Sequence, residues 1–354
     1  MNGVLSTRDC MIHEEDIYYY AAEADWIVKM DKTMTALHYV PIREYNQIIN
    51  ADCCARVMDS LYFLSVDGTC LWEYELKEGT CHNYPIDCGR IQDGNFIAIF
   101  SIGNDIYIFP RHVKQVLIFH CDSKEFSIWC YPQPWADITF QSACQQNEKV
   151  WMFSNGGEIV CIDLKTYQWE FFKTDIGISD IVHTALRQEL VYILLGGGEV
   201  CIWDTVGKEA CFLEIQKEQQ RNKRYIRMAF VEANRCVLLP AIGEYIETYD
   251  LETGRLISAE DITAGRVRIE GREHWAAFRG YSEDSEWYYF MSHAYREHLR
   301  ISKKTGSLSW HTPQYPSKAD WLRHRMDGGE TLFYEGEQSS LDLCTYIDSL
   351  VKAR

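Results

Sequence analysis

The stretch GGEIVCIDLKTYQW, from Gly156 to Trp169, decides the fold, because the chain repeats it as GGEVCIWDTVGKEA, from Gly197 to Ala210. The two copies begin 41 residues apart. In each, apolar residues alternate and then meet an aspartate, which is the pattern of a half-buried strand followed by a turn. The repetition therefore indicates an array of similar β-units.

The same frame recurs seven times when the residue that ends the apolar run is taken as an anchor. The spacing between successive anchors is 41 to 52 residues, and each unit offers four strand-like segments. A period of this length built from strands is typical of a β-propeller. The anchors are Asp31, Glu75, His120, Asp163, Asp204, Asp250 and Ser302.

The number of blades follows from the anchors. We predict an all-β, seven-bladed β-propeller, with six or eight blades as the alternatives. Residues 320–335 have the pattern of the first two strands of an eighth unit, and they could instead close the ring or cover an exposed edge. Where the anchor is an aspartate, its side chain can bond amides two residues on, and Gly254 and Gly306 suit positive φ in the turn.

Two repeat families share these features. The segment KVWMFSNGGEIVCIDLKTYQW (149–169) resembles the kelch-type repeat, in which a strand, a glycine pair, a second strand and a turn lead to a tryptophan. The hairpin that contains Gly254 is similar to the D-x-x-T-G-x-x-W/L end of a quinoprotein-type blade. The pattern covers residues 17–313. The resemblance implies a propeller and brings no catalytic residues with it.

Composition limits the function classes. The net charge of −17 disfavours nucleic acid and anionic membranes as partners. No secretory leader and no apolar stretch of about 18 residues occurs, so we expect a cytoplasmic protein without a membrane span. The 14 cysteines are then expected to stay reduced, and Cys161 and Cys201 repeat with the strands as small apolar residues. No CxxC, HExxH, GxSxG or P-loop motif occurs, so we predict no metal, no cofactor and no catalytic set.

The C-terminal segment differs from the repeats. Leu341, Cys344, Ile347 and Leu350 share one helical face. We therefore predict a propeller domain at 1–335 and a short amphipathic helix at 336–354, packed on or beside the propeller or presented to a partner.

The candidate site lies at one mouth of the central channel. The innermost strands are expected to be the irregular segments that open each unit, and in the later units these carry arginine and histidine although the molecule is acidic. Such a mouth would attract a carboxylate, a phosphate or an acidic peptide. The candidate ligand-binding residues are Asp137, His183, Arg224, Arg227, Arg272, His274, Trp275, Arg323 and Arg325.

The leading functional hypothesis is a non-enzymatic binding or scaffold propeller that recognises a protein, a peptide or a small anionic ligand. The first alternative is a propeller enzyme, such as a lyase, a cyclase or a glycan-active enzyme, which would cluster histidine and carboxylate groups at one mouth. The second is a carbohydrate-binding protein that uses rim tryptophans as a stacking platform. Its candidates, which could instead belong to the core, are Trp26, Trp135, Trp275, Trp287 and Trp321.

Overall fold

The computed structural model confirms the seven-bladed propeller. The structure describes residues 9–21, 26–42, 51–86, 96–111, 114–133, 135, 137–215, 224–232, 234–266, 268–270, 272, 276–315, 317 and 320. Within these residues, 28 strands form seven antiparallel four-stranded sheets, each made of four consecutive strands. We number these sheets blades 1 to 7 along the chain.

The strand bounds are as follows. Blades 1 to 4 comprise β1 (Met11–His13), β2 (Asp16–Ala21), β3 (Trp26–Asp31) and β4 (Leu37–Tyr39); β5 (Ala51–Val57), β6 (Ser60–Ser65), β7 (Cys70–Glu75) and β8 (Thr80–Pro85); β9 (Phe96–Ile102), β10 (Asp105–Pro110), β11 (Gln115–His120) and β12 (Glu125–Cys130); β13 (Phe140–Gln146), β14 (Lys149–Ser154), β15 (Glu158–Asp163) and β16 (Trp169–Lys173). Blades 5 to 7 comprise β17 (Ile181–Arg187), β18 (Leu190–Leu195), β19 (Val200–Asp204) and β20 (Ala210–Leu213); β21 (Arg224–Val231), β22 (Arg235–Ile242), β23 (Tyr245–Asp250) and β24 (Leu256–Asp261); β25 (Phe278–Glu283), β26 (Trp287–Ser292), β27 (His298–Ser302) and β28 (Leu308–His311).

Each of the seven sequence anchors is the last residue of the third strand of its blade. The turns predicted from the anchor aspartates come directly after these strand ends. Asp163 accepts hydrogen bonds from the amides of Lys165 at 3.0 Å and Thr166 at 2.9 Å. Asp204 and Asp250 accept the equivalent bonds at 2.8–3.1 Å. The side chain of the anchor thus ends the strand and fixes the turn.

A left-handed residue completes each anchor turn in blades 2 to 7. It lies four positions after the anchor, and its amide donates to the anchor carbonyl at 2.8–2.9 Å. Gly254 and Gly306 hold this position as predicted. The same conformation occurs in residues that the sequence did not mark, namely Gly79, Lys124, Tyr167 and Lys208. Each of these residues faces the preceding blade.

The core lies between neighbouring blades. Phe109 of blade 3, for example, packs in one cluster with Met152 of blade 4. Trp26 and Trp135 are completely buried, which confirms for these two rings that they belong to the core. Each such side chain contributes about 1.5–3 kcal/mol through the apolar area removed from water. Cys161 and Cys201 are also buried, as their repetition with the strands predicts.

The ring closes by contacts between blade 7 and blade 1, because no described sheet mixes strands from both. Arg300 donates from Nη1 to the carbonyl oxygen of Lys32 at 3.1 Å, and the Lys32 ammonium lies 3.3 Å from Asp284. The backbone of Gln314 bonds to Thr35 at 2.8 Å and to Leu37 at 3.1 Å.

The predictions for the C-terminal segment fall mostly outside the described residues. They are the possible eighth unit at 320–335, of which only Asp320 is described, the domain boundary at 335 and the helix at 336–354. In the part of the chain that the structure describes, no helix is long and apolar enough to span a bilayer.

Candidate functional site

The first strand of every blade lies at the centre of the ring. These strands contact one another from blade to blade around most of the ring. They include β13 and β17, two of the irregular segments that the sequence analysis expected to be innermost. Because the sheets are antiparallel, the start of each inner strand and the inter-blade connections share one face, here called the upper face. The anchor turns lie on the opposite, lower face.

A register break recurs near the start of the inner strand in blades 2 to 7, where one extra residue interrupts the pairing with the second strand. Such bulges re-aim side chains and are common beside functional sites. The residue immediately after the break therefore occupies an equivalent position near the start of the inner strand in each of these blades. These residues are Cys53, Ala98, Ser142, His183, Arg227 and Gly280.

The upper mouth of the channel encloses a cavity of about 550 Å³. The first residues of the inner strands form most of its wall. Among its described lining residues, Asp9 is the only carboxylate, and the arginines are Arg111, Arg224, Arg227 and Arg279. The mouth is therefore cationic in a protein whose net charge is −17.

Arg227 reaches groups from several blades. Its charge acts on Asp9 of blade 1, on His183 of blade 5 and on Tyr281 of blade 7. Its Nη1 donates to the adjacent carbonyl of Ile226 at 3.4 Å, and its buried Nε has no hydrogen-bond partner among the described residues. Burial lowers the pKa of the guanidinium, and the charge of Asp9 opposes that effect.

Asp9 is held from both sides by backbone amides. Cys10 donates to its Oδ1 and Cys54 to its Oδ2, each at 3.0 Å. Burial raises the pKa of Asp9 to about 6, although the Cys54 amide and the charge of Arg227 both act to lower it. The carboxylate is therefore mostly ionised at neutral pH and partly neutral below pH 6.

His183 is a neutral donor to the cavity. Its Nδ1 accepts the amide hydrogen of Met228 at 3.3 Å, so a neutral ring carries its proton on Nε2. Burial, and then the charge of Arg227, hold the pKa of His183 well below its usual range. Its ring lies 6.1 Å from that of Tyr281, centroid to centroid.

Two further arginines hold positions at the rim. Arg224 forms an exposed ion pair with Asp180 at 2.7 Å, which is a weak interaction in water. Arg111 donates from Nη1 to the side-chain oxygen of Gln141 at 2.9 Å. Both guanidinium groups remain within the cavity wall, where they can add charge around a ligand held by Arg227.

The candidate residues from the sequence fall into three groups. His183, Arg224 and Arg227 line the cavity together. Asp137 is exposed in the connection between blades 3 and 4. Arg272 donates from Nη1 to the His293 carbonyl at 3.0 Å in the connection between blades 6 and 7. Neither belongs to the cavity lining. The remaining candidates lie outside the described residues: His274, Trp275, Arg323 and Arg325.

Sequence reasoning left Asp9 and Arg111 out of the candidate site. Arg279 is an arginine of an irregular inner segment in the later units, which is the kind of residue that the sequence analysis expected at the mouth, and it lines the cavity as the extra residue at the register break of β25. Arg111 follows a second strand, and Asp9 precedes the first. Their positions carry no signal that the ring would bring them to the channel.

The described residues offer no set of three or more histidine, cysteine, aspartate or glutamate side chains placed to hold a metal ion. The lining includes four guanidinium groups and a neutral imidazole, which can donate hydrogen bonds to an anion, together with hydroxyl and amide side chains such as Ser142, Thr184 and Gln141. The chemistry that the site supports directly is therefore oxyanion binding.

Neither a protein-family model nor a curated protein matches the sequence. Solved structures match in fold. Virginiamycin B lyase from Staphylococcus aureus superposes with a TM-score of 0.62 at 13% identity, over 82% of this chain and 93% of that one. The WD40 repeats of RRP9 superpose with a TM-score of 0.56 at 12% identity, over 75% and 81% of the two chains.

A third neighbour is PorZ, a surface component of the type-IX secretion system of Porphyromonas gingivalis, with a TM-score of 0.59 at 11% identity. The match covers 89% of this chain and 39% of PorZ. At these identities the likeness shows the β-propeller fold alone. The resemblance to kelch-type and quinoprotein-type repeats stays an interpretation of the sequence.

Proposed function

We propose that the protein is a binding propeller whose upper channel mouth holds a carboxylate or phosphate group. The group would belong to a small organic anion or to an acidic segment of a partner protein. One observation carries the proposal. The described wall of the cavity contains four arginines and a single carboxylate, within a strongly acidic protein.

The energetics favour an anion at Arg227. A hydrogen bond to a charged group contributes about 1.5–3 kcal/mol, and guanidinium groups bind carboxylate and phosphate in a two-point geometry. The buried Nε of Arg227 has no partner among the described residues, so a ligand oxygen would satisfy a donor that is otherwise unpaired. The Nε2–H of His183 can supply a second, neutral donor.

The charge of the lower face supports binding at the upper mouth. Backbone amides donate to Asp163, Asp204 and Asp250 and hold the pKa of each carboxyl below its usual value. These groups are therefore ionised at neutral pH, and they repel an approaching anion from the lower face. The resulting field steers an anion toward the arginines.

The cavity of about 550 Å³ lies within the size range of small-molecule sites. The structural neighbours, which include the WD40 repeats of RRP9, share the propeller fold on which this site is built.

The carbohydrate alternative is not favoured by Trp26 and Trp135, because completely buried rings cannot stack on a sugar.

The test is isothermal titration calorimetry with citrate, inorganic phosphate and a hexaglutamate peptide. Arg227→Gln should weaken binding of the active probe by about 10-fold or more, the loss of one charge-assisted hydrogen bond. Arg235→Gln is the control, because it removes the same charge from an exposed pair with Glu232 away from the channel. It should change the affinity by less than about twofold. Equal losses in both variants, or no binding by any probe, would contradict the proposal.

A further inference from the structure

A side chain seals the groove between neighbouring blades at the left-handed turn position. Lys208 of blade 5 lies 4.6 Å from the ring centroid of Trp151 and 4.9 Å from that of Phe172, both in blade 4. Tyr167 of blade 4 lies 5.7 Å from Trp129 of blade 3. The turn residue of one blade therefore rests on rings of the blade before it.

The interface between blades 2 and 3 has the same arrangement. The ammonium group of Lys124 lies 6.0 Å from the ring centroid of Tyr62 and 5.8 Å from that of Tyr84. It also contacts both carboxylate oxygens of Glu73 at 2.7 Å. Three consecutive interfaces are thus sealed by a lysine, a tyrosine and a lysine.

The walls of these grooves occupy equivalent strand positions. One wall is the third residue of the second strand, which is Tyr62, Tyr107 or Trp151. In blade 1 this position is Tyr18. The other wall is a residue of the fourth strand, the one that pairs with the third-strand residue four positions before the anchor. It is Tyr84, Trp129 or Phe172. In blade 1 the corresponding residue is Val40, whose amide bonds to Ile27 at 3.0 Å.

The groove between blades 1 and 2 has both walls, but its turn residue is Gly79 and adds no side chain; beside it the Tyr74 hydroxyl of blade 2 donates to the carbonyl of Pro41, which follows β4, at 3.0 Å. A cavity of about 320 Å³ lies at this place, with Tyr18, Val40 and Tyr74 in its lining. We call this cavity the Gly79 niche. Its full lining is Tyr18, Lys29, Val40, Pro41, Tyr74, Leu76, Lys77, Glu78 and Gly79.

The other glycines at this turn position leave no comparable space. A Cβ atom on Gly254 would overlap the carbonyl oxygen of Glu214, and one on Gly306 would lie 3.1 Å from Val231. A Cβ atom on Gly79 would lie 3.4 Å from its nearest neighbour, the Pro41 oxygen, which is ordinary contact. The Gly79 niche can therefore accept a side chain.

A lysine occupant has a carboxylate at or beside the floor of its groove. The floor residue pairs across the strands with the first wall: Glu73 faces Tyr62, Ile118 faces Tyr107, Cys161 faces Trp151 and Lys29 faces Tyr18. Glu73 binds Lys124, Glu170, which pairs with Cys161, faces Lys208, and the apolar Ile118 accompanies a tyrosine. The ammonium of Lys29 would repel a lysine, but it is attracted to the face of an aromatic ring.

We infer that the Gly79 niche is a docking site for an aromatic side chain of a partner protein. The ring would enter between Tyr18 and Val40, above Lys29, as Tyr167 does between Tyr107 and Trp129. Rings of this kind dominate the binding energy where they fill a pocket at an interface. The inference does not depend on the anion site, which lies in the central channel.

The first test uses three capped pentapeptides, GGXGG with tyrosine, lysine or leucine at the centre, and saturation-transfer NMR titration. The wild-type protein should bind the tyrosine peptide at least tenfold more tightly than the lysine peptide. Gly79→Tyr should weaken binding of the tyrosine peptide at least tenfold, because the new side chain fills the niche. The φ of 67° at Gly79 is close to the 55° that Tyr167 adopts, so the turn tolerates the change.

The matched control is Gly103→Tyr, which places a tyrosine on another left-handed glycine, with nothing within 4 Å of its added Cβ atom. It should leave binding of the tyrosine peptide unchanged. A second variant, Asp16→Lys with Lys29→Glu, reverses the 3.1 Å ion pair and puts a carboxylate at the floor. It should bind the lysine peptide in preference to the tyrosine peptide. Absence of binding to wild type, equal binding by Gly79→Tyr, or no reversal in the double variant would overturn the inference.

Discussion

Two lysines at the same turn position allow the contribution of one buried carboxylate to be measured. Lys124 and Lys208 both have φ of 59°, and both lie on aromatic rings of the preceding blade. Lys124 also binds Glu73, whose side chain is 1% exposed, whereas Lys208 faces Glu170 at 3.5 Å, which is 57% exposed. The substitutions Lys124→Met and Lys208→Met are therefore expected to have the same effect on the left-handed backbone. They differ in the carboxylate that loses its lysine partner, which is buried for Glu73 and exposed for Glu170.

The expected magnitudes follow from these contacts. Lys208→Met should lower the free energy of unfolding by less than about 1 kcal/mol, since it loses an exposed ion pair and a cation–π contact. Lys124→Met should lower it by about 2–3 kcal/mol, because Glu73 then stays buried without a cation, held by hydroxyl groups such as those of Tyr62 at 2.6 Å and Tyr84 at 2.7 Å. Urea denaturation followed by tryptophan fluorescence measures both values.

The pH dependence provides a check on the cause. Burial raises the pKa of Glu73, but hydrogen bonds from Lys124, Tyr62 and Tyr84 outweigh it and hold the pKa below its usual value of 4.5. A carboxyl with a lowered pKa stabilises the fold above its unfolded-state pKa and loses that contribution as the pH falls through its folded-state pKa. The difference between the two variants should therefore be largest at neutral pH, where Glu73 is ionised, and should shrink as the pH falls and Glu73 becomes protonated. Equal destabilisation at pH 7 would refute the reasoning.

Two further predictions concern a buried histidine of blade 7 and the turns. Burial lowers the pKa of His298 to about 4, so this residue should lower the free energy of unfolding by about 3 kcal/mol as the pH drops from 6.5 to 4. The loss of stability in His298→Gln should be smaller than that of the wild type by this amount, while other groups such as His183 still titrate, and equal losses in the two denaturation series would contradict the prediction. Gly254→Ala should lower the melting temperature far more than Gly103→Ala, because only the former brings a Cβ atom onto the Glu214 carbonyl. Scanning calorimetry of the two variants measures both melting temperatures. Equal decreases would show that the positive φ alone, and not the contact with Glu214, causes the destabilisation.

The repeat was predictable because its signals are local. An aspartate such as Asp163 bonds amides within its own turn, so the end of the third strand can be recognised from the sequence alone. The left-handed conformation of Lys124, Tyr167 and Lys208 was not predictable, because non-glycine residues rarely adopt it. Contacts with the preceding blade, which lies about 40 residues earlier in the chain, accompany this conformation.

Part of the cavity lining could be predicted. His183, Arg224 and Arg227 lie in it, and the sequence indicated them because they belong to inner strands whose polar residues interrupt the apolar pattern. Asp9 lies more than 200 residues from Arg227 in the chain, and only the closure of the ring places the two charges in one cavity. The Gly79 niche could not be predicted, because it becomes visible only when the same turn is compared in several blades.

The way in which the ring closes has a mechanical consequence. Each blade is made of four consecutive strands, so among the described residues blade 7 contacts blade 1 through side chains and the short backbone contact of Gln314 with Thr35 and Leu37. A tension applied between residues 9 and 315 would act directly on these contacts, which lie between the two points of pulling.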